Sequence, residues 1–162
     1  YKTTVLQGGE DAFYTDEKMV EIIKAIKKEF PDNALTLSIG ERSYESYKKL
    51  YEAGADRFLL RHESATRSLY ESIHNTESFE ERRRCLRDLK EIGFQAGAGF
   101  MVGLPNQTNE DLVNDLRYVK ELEPAMCGIG PFIPHKDTPL RDCEAGTTEK
   151  TVILFQKELW CK

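Results

Sequence analysis

Short apolar runs alternate with longer amphipathic stretches along this chain, and the alternation predicts repeated strand and helix units. The apolar runs predict five strands, at residues 3–8, 34–39, 57–61, 94–102 and 125–132. The stretches between them predict helices at 16–30, with Asp16 as the N-cap, at 43–52, around 69–73, at 79–92 and at 108–122. Connections of this length suit crossovers between parallel strands, so the fold class is α/β with a parallel sheet.

Charged residues and glycines follow several predicted strands, and this is where a parallel sheet binds ligands. The charged residues at these carboxyl ends are Glu10, Glu41, Arg61 and Glu63. The pattern predicts a site for a charged small molecule. Two closures of the sheet fit the pattern: an open doubly wound sheet of five strands, or part of a barrel that needs more strands.

Composition and cysteine spacing exclude several classes of protein. A net charge of −5 argues against non-specific nucleic-acid binding. No apolar run approaches the ~18–20 residues of a membrane span. With no secretory signal before Tyr1, we expect a cytoplasmic protein with reduced thiols. The cysteines form no CxxC pair that would indicate a metal site; they are Cys85, Cys127, Cys143 and Cys161.

The triplet Gly8, Gly9 and Glu10 after the first predicted strand is one candidate binding site. Two glycines allow a ligand to approach the backbone closely, and a carboxylate can accept hydrogen bonds from an ammonium group. The alternative is a turn with an exposed glutamate. After the third strand, alternation places Arg61 and Glu63 on one face, where they could bind a carboxylate and a hydroxyl or simply pair with each other.

Other polar residues allow both functional and structural interpretations. One arginine of Arg82–Arg84 can turn inward to meet an anion, with the other two solvated. His62 is interpreted as structural, and His135 with Asp137 as part of a turn rather than a metal site. Glycines within the fourth strand, Gly97 and Gly99, indicate close approach by backbone or ligand.

Four stretches in order resemble the radical S-adenosylmethionine (SAM) enzymes. They are Val5–Asp11, Ala53–Glu63, Gly97–Thr108 and Gly128–His135. The resemblance is to the biotin synthase-like branch, and within it to the [FeFe]-hydrogenase maturases of the HydE type. It covers residues 1–148, whereas 149–162 form an atypical tail. It implies that the chain is part of a TIM-type radical SAM barrel, with about five of its strands.

The resemblance also implies a function and its site residues. Enzymes of this family use a [4Fe–4S] cluster to cleave SAM to a 5′-deoxyadenosyl radical. By similarity, Gly8, Gly9 and Glu10 would hold the methionyl amino group, and Arg82 the methionyl carboxylate. Arg61 and Glu63 would contact the ribose and methionine parts. The residues that would flank the adenine are Met101, Val102 and the segment 129–132, which includes Ile129 and Pro131.

The chain departs from the family in lacking Cys-x3-Cys-x2-Cys, the motif that ligates the cluster. We expect that motif upstream of Tyr1, so we interpret the chain as an internal fragment without metal ligands and inactive alone. The expected partners are a small-molecule substrate and other hydrogenase maturases, without nucleic acid or membrane. Alternatives are another enzyme of the branch, such as biotin synthase or methylornithine synthase, and a non-catalytic pseudoenzyme fragment.

Overall fold

The computed structural model describes residues 1–74 and 77–160, without the side chains of residues 155 and 157–160. Cys161 and the end of the predicted tail therefore lie outside the described residues. The strands are β1 Thr3–Gln7, β2 Ala34–Ser38, β3 Arg57–Leu59, β4 Gln95–Val102 and β5 Met126–Pro131. The helices are α1 Asp16–Glu29, α2 Tyr44–Glu52, α3 Arg67–Ile73, α4 Phe79–Ile92, α5 Asn109–Leu122 and α6 Thr148–Trp160.

The five strands form a single sheet in the order β1-β2-β3-β4-β5. The first four strands pair in parallel. Thr3 is opposite Ala34, Thr36 is opposite Arg57, and Arg57 is opposite Gln95. The predicted α/β class with parallel strands is confirmed, and strand order follows chain order throughout.

Strand β5 also runs parallel to β4, as two backbone hydrogen bonds show. Ala125 N–H donates to the carbonyl of Ala96 at 2.8 Å, and Phe132 N–H donates to the carbonyl of Val102 at 2.8 Å. Residue numbers rise in the same direction along β4 and β5, from 96 to 102 and from 125 to 132, which defines a parallel pair.

Strands β4 and β5 approach each other closely at a pair of glycines. A Cβ built on Gly99 would lie 2.1 Å from the carbonyl oxygen of Gly128. Backbone cannot yield at that distance, so only glycine fits at position 99. The prediction that a glycine in this strand marks close backbone approach is confirmed.

The chain divides into two compact units, each with its own core. The first comprises residues 1–60, 80–98 and 124–126, and the second 61–79, 99–123 and 127–162. The fully buried apolar side chains of the first are Ile23, Leu35, Leu37, Tyr47, Leu50, Phe58, Cys85, Leu86, Leu89 and Ala98. A core cluster of the second consists of Phe100, Val102, Leu112 and Val119.

The N-terminus of α1 differs from the sequence prediction by one residue. Thr15, not Asp16, is the N-cap, and its side chain accepts a hydrogen bond from Lys18 N–H at 3.5 Å. A threonine oxygen just before the first turn can also accept a hydrogen bond from a helix N–H. Asp16 instead accepts a hydrogen bond from Ser46 Oγ at 2.5 Å and pairs with Arg42 at 3.1 Å.

We expect the free energy of unfolding to decrease at acid pH because of Asp16. Burial raises the pKa of its carboxyl, but Ser46, Lys49 and Arg42 lower it, so that it lies below the ordinary 3.8. A lowered folded-state pKa stabilises the fold fully above the unfolded-state pKa, and this contribution disappears as pH falls through the folded-state pKa. Urea unfolding between about pH 5 and 2 should therefore show a weaker pH dependence in Asp16→Asn.

The matched control for this prediction is Asp32→Asn, which removes an exposed carboxylate. Its unfolding free energy should follow pH as the parent protein does. An Asp16→Asn protein with the parent's pH dependence would contradict the prediction.

Candidate cofactor-binding site

In the first unit, the predicted triplet forms the turn that follows β1. Gly8 N–H donates to the carbonyl of Ser38 at 3.0 Å, which extends the pairing of β1 with β2 by one residue. A Cβ at Gly9 would meet none of the described atoms within 4 Å. Glu10 Oε1 accepts a hydrogen bond from Glu41 N–H at 2.7 Å. Glu10 is exposed, as the alternative of a turn glutamate predicted, and its carboxylate also binds the backbone after β2.

A buried ion pair joins the turn after β2 to α4. Arg82 Nε lies 2.6 Å from Glu41 Oε1, and the two side chains are only 9% and 14% exposed. The prediction that one of three arginines turns inward to meet an anion is confirmed for Arg82. The anion in this structure is the Glu41 carboxylate.

The other two arginines of the cluster have different surroundings. Arg83 is partly exposed. Arg84 pairs with Glu81 at 2.5 Å and with Asp88, and it donates to the carbonyl of Arg42 at 3.0 Å. The expectation of a solvated side chain is therefore wrong for Arg84, because acidic residues one turn away on α4 bind its guanidinium.

A cleft beside the turn after β1 is rich in carboxylates. Four acidic residues and one arginine line it, so the cleft suits a cationic group better than an anionic one. Its lining is Glu10, Asp11, Ala12, Tyr14, Thr15, Asp16, Ile39, Glu41 and Arg42.

In the second unit, Arg61 and Glu63 lie on the same side of the chain. Arg61 Nε is 3.7 Å from Glu63 Oε2, and Arg61 Nη2 donates to the carbonyl of Phe100 at 2.7 Å. The intramolecular pair that we considered as an alternative is therefore present. Strand alternation does not explain why Arg61 and Glu63 lie on the same side, because β3 ends at Leu59 rather than at residue 61.

A left-handed backbone conformation at Glu63 places its side chain beside Arg61. Its φ is 60°, and its N–H donates to the carbonyl of Gly99 at 3.0 Å. His62 is 2% exposed and lies 3.5 Å from the fully buried Asp115 of α5. Asp115 is not among the site residues predicted from the sequence. A signal existed, since Asp115 shares a helix face with Leu112 and Val119, both of which are buried.

The residues assigned to the adenine lie on β4 and β5. Val102 is fully buried in a core cluster of the second unit, so any contact with a ligand would come from its backbone, whereas Ile129, packed against that cluster, is partly exposed. Met101 is partly buried and packs against a different cluster, which contains Leu104 and Phe132. Pro131, the last residue of β5, is partly buried. A Cβ at neighbouring Gly130 would meet none of the described atoms within 4 Å.

No metal centre is formed by the part of the chain that the structure describes. Three cysteines there, Cys85, Cys127 and Cys143, are free, and no three His, Cys, Asp or Glu residues converge on one point. His135 and Asp137 are exposed and 3.8 Å apart, within a turn closed by the Thr138 N–H. Among the described residues, no helix is both long enough and apolar enough to cross a membrane.

Comparison with known protein families identifies the class. A family model for the Radical SAM superfamily matches residues 1–119, so the chain belongs to that superfamily, whose members are enzymes. It is similar to the [FeFe] hydrogenase maturase subunit HydE of Thermotoga maritima, at 53% identity over 90% of this chain and 41% of that protein. It also resembles the biotin synthase of Aquifex aeolicus, at 30% identity over 85% of this chain and 41% of that protein.

Comparison with solved structures confirms the fold. The crystal structure of methylornithine synthase (PylB) superimposes with a TM-score of 0.88 at 24% identity, covering all of this chain and 49% of that one. The five parallel strands are thus part of a radical SAM barrel, and the open doubly wound sheet is excluded. The chain spans 41% of the length of the HydE and biotin synthase relatives.

Proposed function

We propose that this chain is the central SAM-binding portion of an enzyme that cleaves SAM to a 5′-deoxyadenosyl radical. The observation that carries this proposal is the superfamily match over residues 1–119, together with charged side chains at the carboxyl ends of the strands. SAM offers an ammonium, a carboxylate, a ribose diol and a purine.

The first unit fits the methionyl end of SAM. Glu10 is held by Glu41 N–H at 2.7 Å in an acidic cleft, where a carboxylate could accept hydrogen bonds from the ammonium group. Gly8 and Gly9 leave the backbone beside it accessible. Arg82 would bind the methionyl carboxylate, and its pairing with Glu41 supports this role, since the guanidinium already accommodates a carboxylate in a buried setting.

The second unit fits the ribose and the purine. Arg61 and Glu63 offer a donor and an acceptor 3.7 Å apart, which suits hydroxyl and carboxylate groups. Met101, Ile129 and Pro131, with the backbone of Val102, would flank the adenine. Radical chemistry is supplied by SAM when it is bound beside a reduced cluster; the side chains named here bind and orient it.

The described residues do not fit a [4Fe–4S] cluster. Such a cluster requires converging cysteine thiolates, and in the described part of the chain the cysteines do not converge. We therefore assign no cluster ligand to the residues that the structure describes.

We further propose that the enzyme acts in assembly of the [FeFe]-hydrogenase active site. Identity of 53% with a HydE protein, against 30% with a biotin synthase, supports this role over biotin synthesis. The substrate would be a small molecule, and other hydrogenase maturases would be partners. A cytoplasmic location without nucleic-acid binding remains our expectation.

The test of SAM cleavage is anaerobic reconstitution with iron and sulfide, followed by dithionite and SAM. The complete product of the gene is expected to release 5′-deoxyadenosine, measured by liquid chromatography. Residues 1–162 on their own are expected to give no stoichiometric [4Fe–4S] spectrum. A stoichiometric cluster on residues 1–162 would refute our expectation that the cluster ligands lie upstream of Tyr1. Absence of 5′-deoxyadenosine from the complete protein would refute the proposed reaction.

An extract that lacks its own HydE-type maturase tests whether the enzyme acts in hydrogenase maturation or in biotin synthesis. Adding the complete protein should restore activation of an apo [FeFe]-hydrogenase. Rescue of a biotin-requiring strain, without hydrogenase activation, would instead support the biotin synthase alternative.

A further inference from the structure

We propose that His62 and Asp115 are positioning residues that fix the left-handed turn at Glu63, and through it the orientation of the Glu63 carboxylate toward SAM. This inference rests on the proposed SAM-binding function. Both side chains are almost completely buried, at 2% and 0% exposure, and the proposed binding scheme gives neither a role. Buried ionisable groups are costly to retain unless their hydrogen bonds compensate.

The turn itself is unfavourable for a glutamate. Glu63 has φ 60°, a region that disfavours residues other than glycine because Cβ crowds the following carbonyl. Its own backbone bridges β4 through two hydrogen bonds: Glu63 N–H donates to the carbonyl of Gly99 at 3.0 Å, and the Glu63 carbonyl accepts from Met101 N–H at 3.5 Å. A conformation of this kind persists only when its surroundings hold it.

His62 holds the turn on the side that precedes Glu63. Its Nδ1 accepts a hydrogen bond from Gly99 N–H at 3.3 Å, so its ring proton lies on Nε2. The ring packs edge-on against Tyr118, with centroids 4.9 Å apart. Gly99 therefore binds this segment twice, through its carbonyl to Glu63 and through its N–H to the histidine ring.

Asp115 holds the turn on the side that follows Glu63. Its Oδ1 accepts a hydrogen bond from Ala65 N–H at 2.5 Å and lies 3.5 Å from His62 Nε2. One carboxylate oxygen thus contacts residues on both sides of Glu63. This arrangement restrains the backbone from 62 to 65 between β4 and α5 within the second unit.

The restraint determines what Glu63 and its neighbour Arg61 can present to a ligand. Arg61 is fixed separately, by donation to the carbonyl of Phe100 at 2.7 Å. If the turn loosened, the carboxylate of Glu63 would lose its position relative to Arg61, and the cost of ordering it would reduce ligand affinity. Loss of the restraint should therefore weaken SAM binding beyond any effect on folding.

The experiment measures the Kd for SAM by equilibrium dialysis with the complete, anaerobically reconstituted protein. His62→Phe keeps a ring of similar shape and removes the acceptor for Gly99 N–H, and we expect Kd to rise roughly tenfold. Asp115→Leu removes the acceptor for Ala65 N–H and should act similarly. Asp115→Asn keeps an acceptor oxygen and should recover most of the lost affinity. His135→Phe, at an exposed histidine, is the matched control.

A second measurement separates positioning from folding. In the Glu63→Gln background, His62→Phe should change Kd much less than in the parent protein, because its effect passes through the Glu63 carboxylate. Thermal unfolding is recorded for every variant. Variants that lower Tm without changing Kd, or equal Kd changes in both backgrounds, would overturn the inference while the proposed function stands. A parent protein that does not bind SAM would overturn both.

Discussion

Replacing Arg82 by leucine is expected to lower the free energy of unfolding by about 3 kcal/mol and to abolish SAM binding. The stability effect follows from the Glu41 carboxylate, which is 14% exposed and loses the guanidinium 2.6 Å away. Removing one member of a buried ion pair costs about 3–5 kcal/mol, because the other charge stays in a poorly solvated site. The binding effect follows from loss of the guanidinium proposed to bind the methionyl carboxylate.

The double variant Arg82→Leu with Glu41→Leu separates these two effects. Two apolar side chains of similar volume remove the uncompensated charge, so most of the stability should return. SAM binding should not return, since the guanidinium is still missing. Urea unfolding and equilibrium dialysis of SAM give the two readouts, and Arg87→Leu, at an exposed position of α4, is the control. A stable double variant that binds SAM like the parent would refute the role assigned to Arg82.

Gly99→Ala is expected to destabilise the protein by about 3 kcal/mol, at the upper end of overpacking costs. The new methyl carbon would lie 2.1 Å from the carbonyl oxygen of Gly128 and 3.0 Å from its nitrogen. Both are backbone atoms of β5, so relief requires the strands to separate and their hydrogen bonds to lengthen. Urea unfolding at neutral pH measures the change.

Gly130→Ala is the matched control for this prediction. It makes the same substitution in β5, where no described atom lies within 4 Å of the new Cβ. Its free energy of unfolding should remain within about 0.5 kcal/mol of the parent value. If both variants lost equal stability, the glycine contact would not be the cause.

Local sequence signals were sufficient for most of the elements. The apolar spacing of α4 and the stop at Gly93 give bounds of 79–92, as the structure does. The start of α1 was misplaced because Thr15 and Asp16 are both good N-cap residues, and sequence does not show which oxygen faces the helix. The sequence prediction extended β3 by two residues, to Arg61, because the apolar run continues through Leu60, which is buried although it follows the strand.

The candidate site was only partly predictable. Glu10 and the cluster Arg82–Arg84 could be singled out because residues at strand ends and a basic cluster can be recognised from local sequence, whereas the choice of Arg82 rested on the family resemblance. Their connection through Glu41 depends on residues distant in the chain, and no local pattern encodes that contact. The left-handed turn at Glu63 was missed, because glutamate rarely adopts that conformation and tertiary hydrogen bonds impose it.

The strand order β1-β2-β3-β4-β5 allows the sheet to fold while the chain is being synthesised. Each strand pairs with the one that left the ribosome immediately before it, so no later strand has to insert between two that are already paired. Pairings close in sequence incur a smaller loop-closure cost and form faster than distant ones. The sheet can therefore extend one strand–helix unit at a time during translation, with each new strand added at the edge formed by its predecessor.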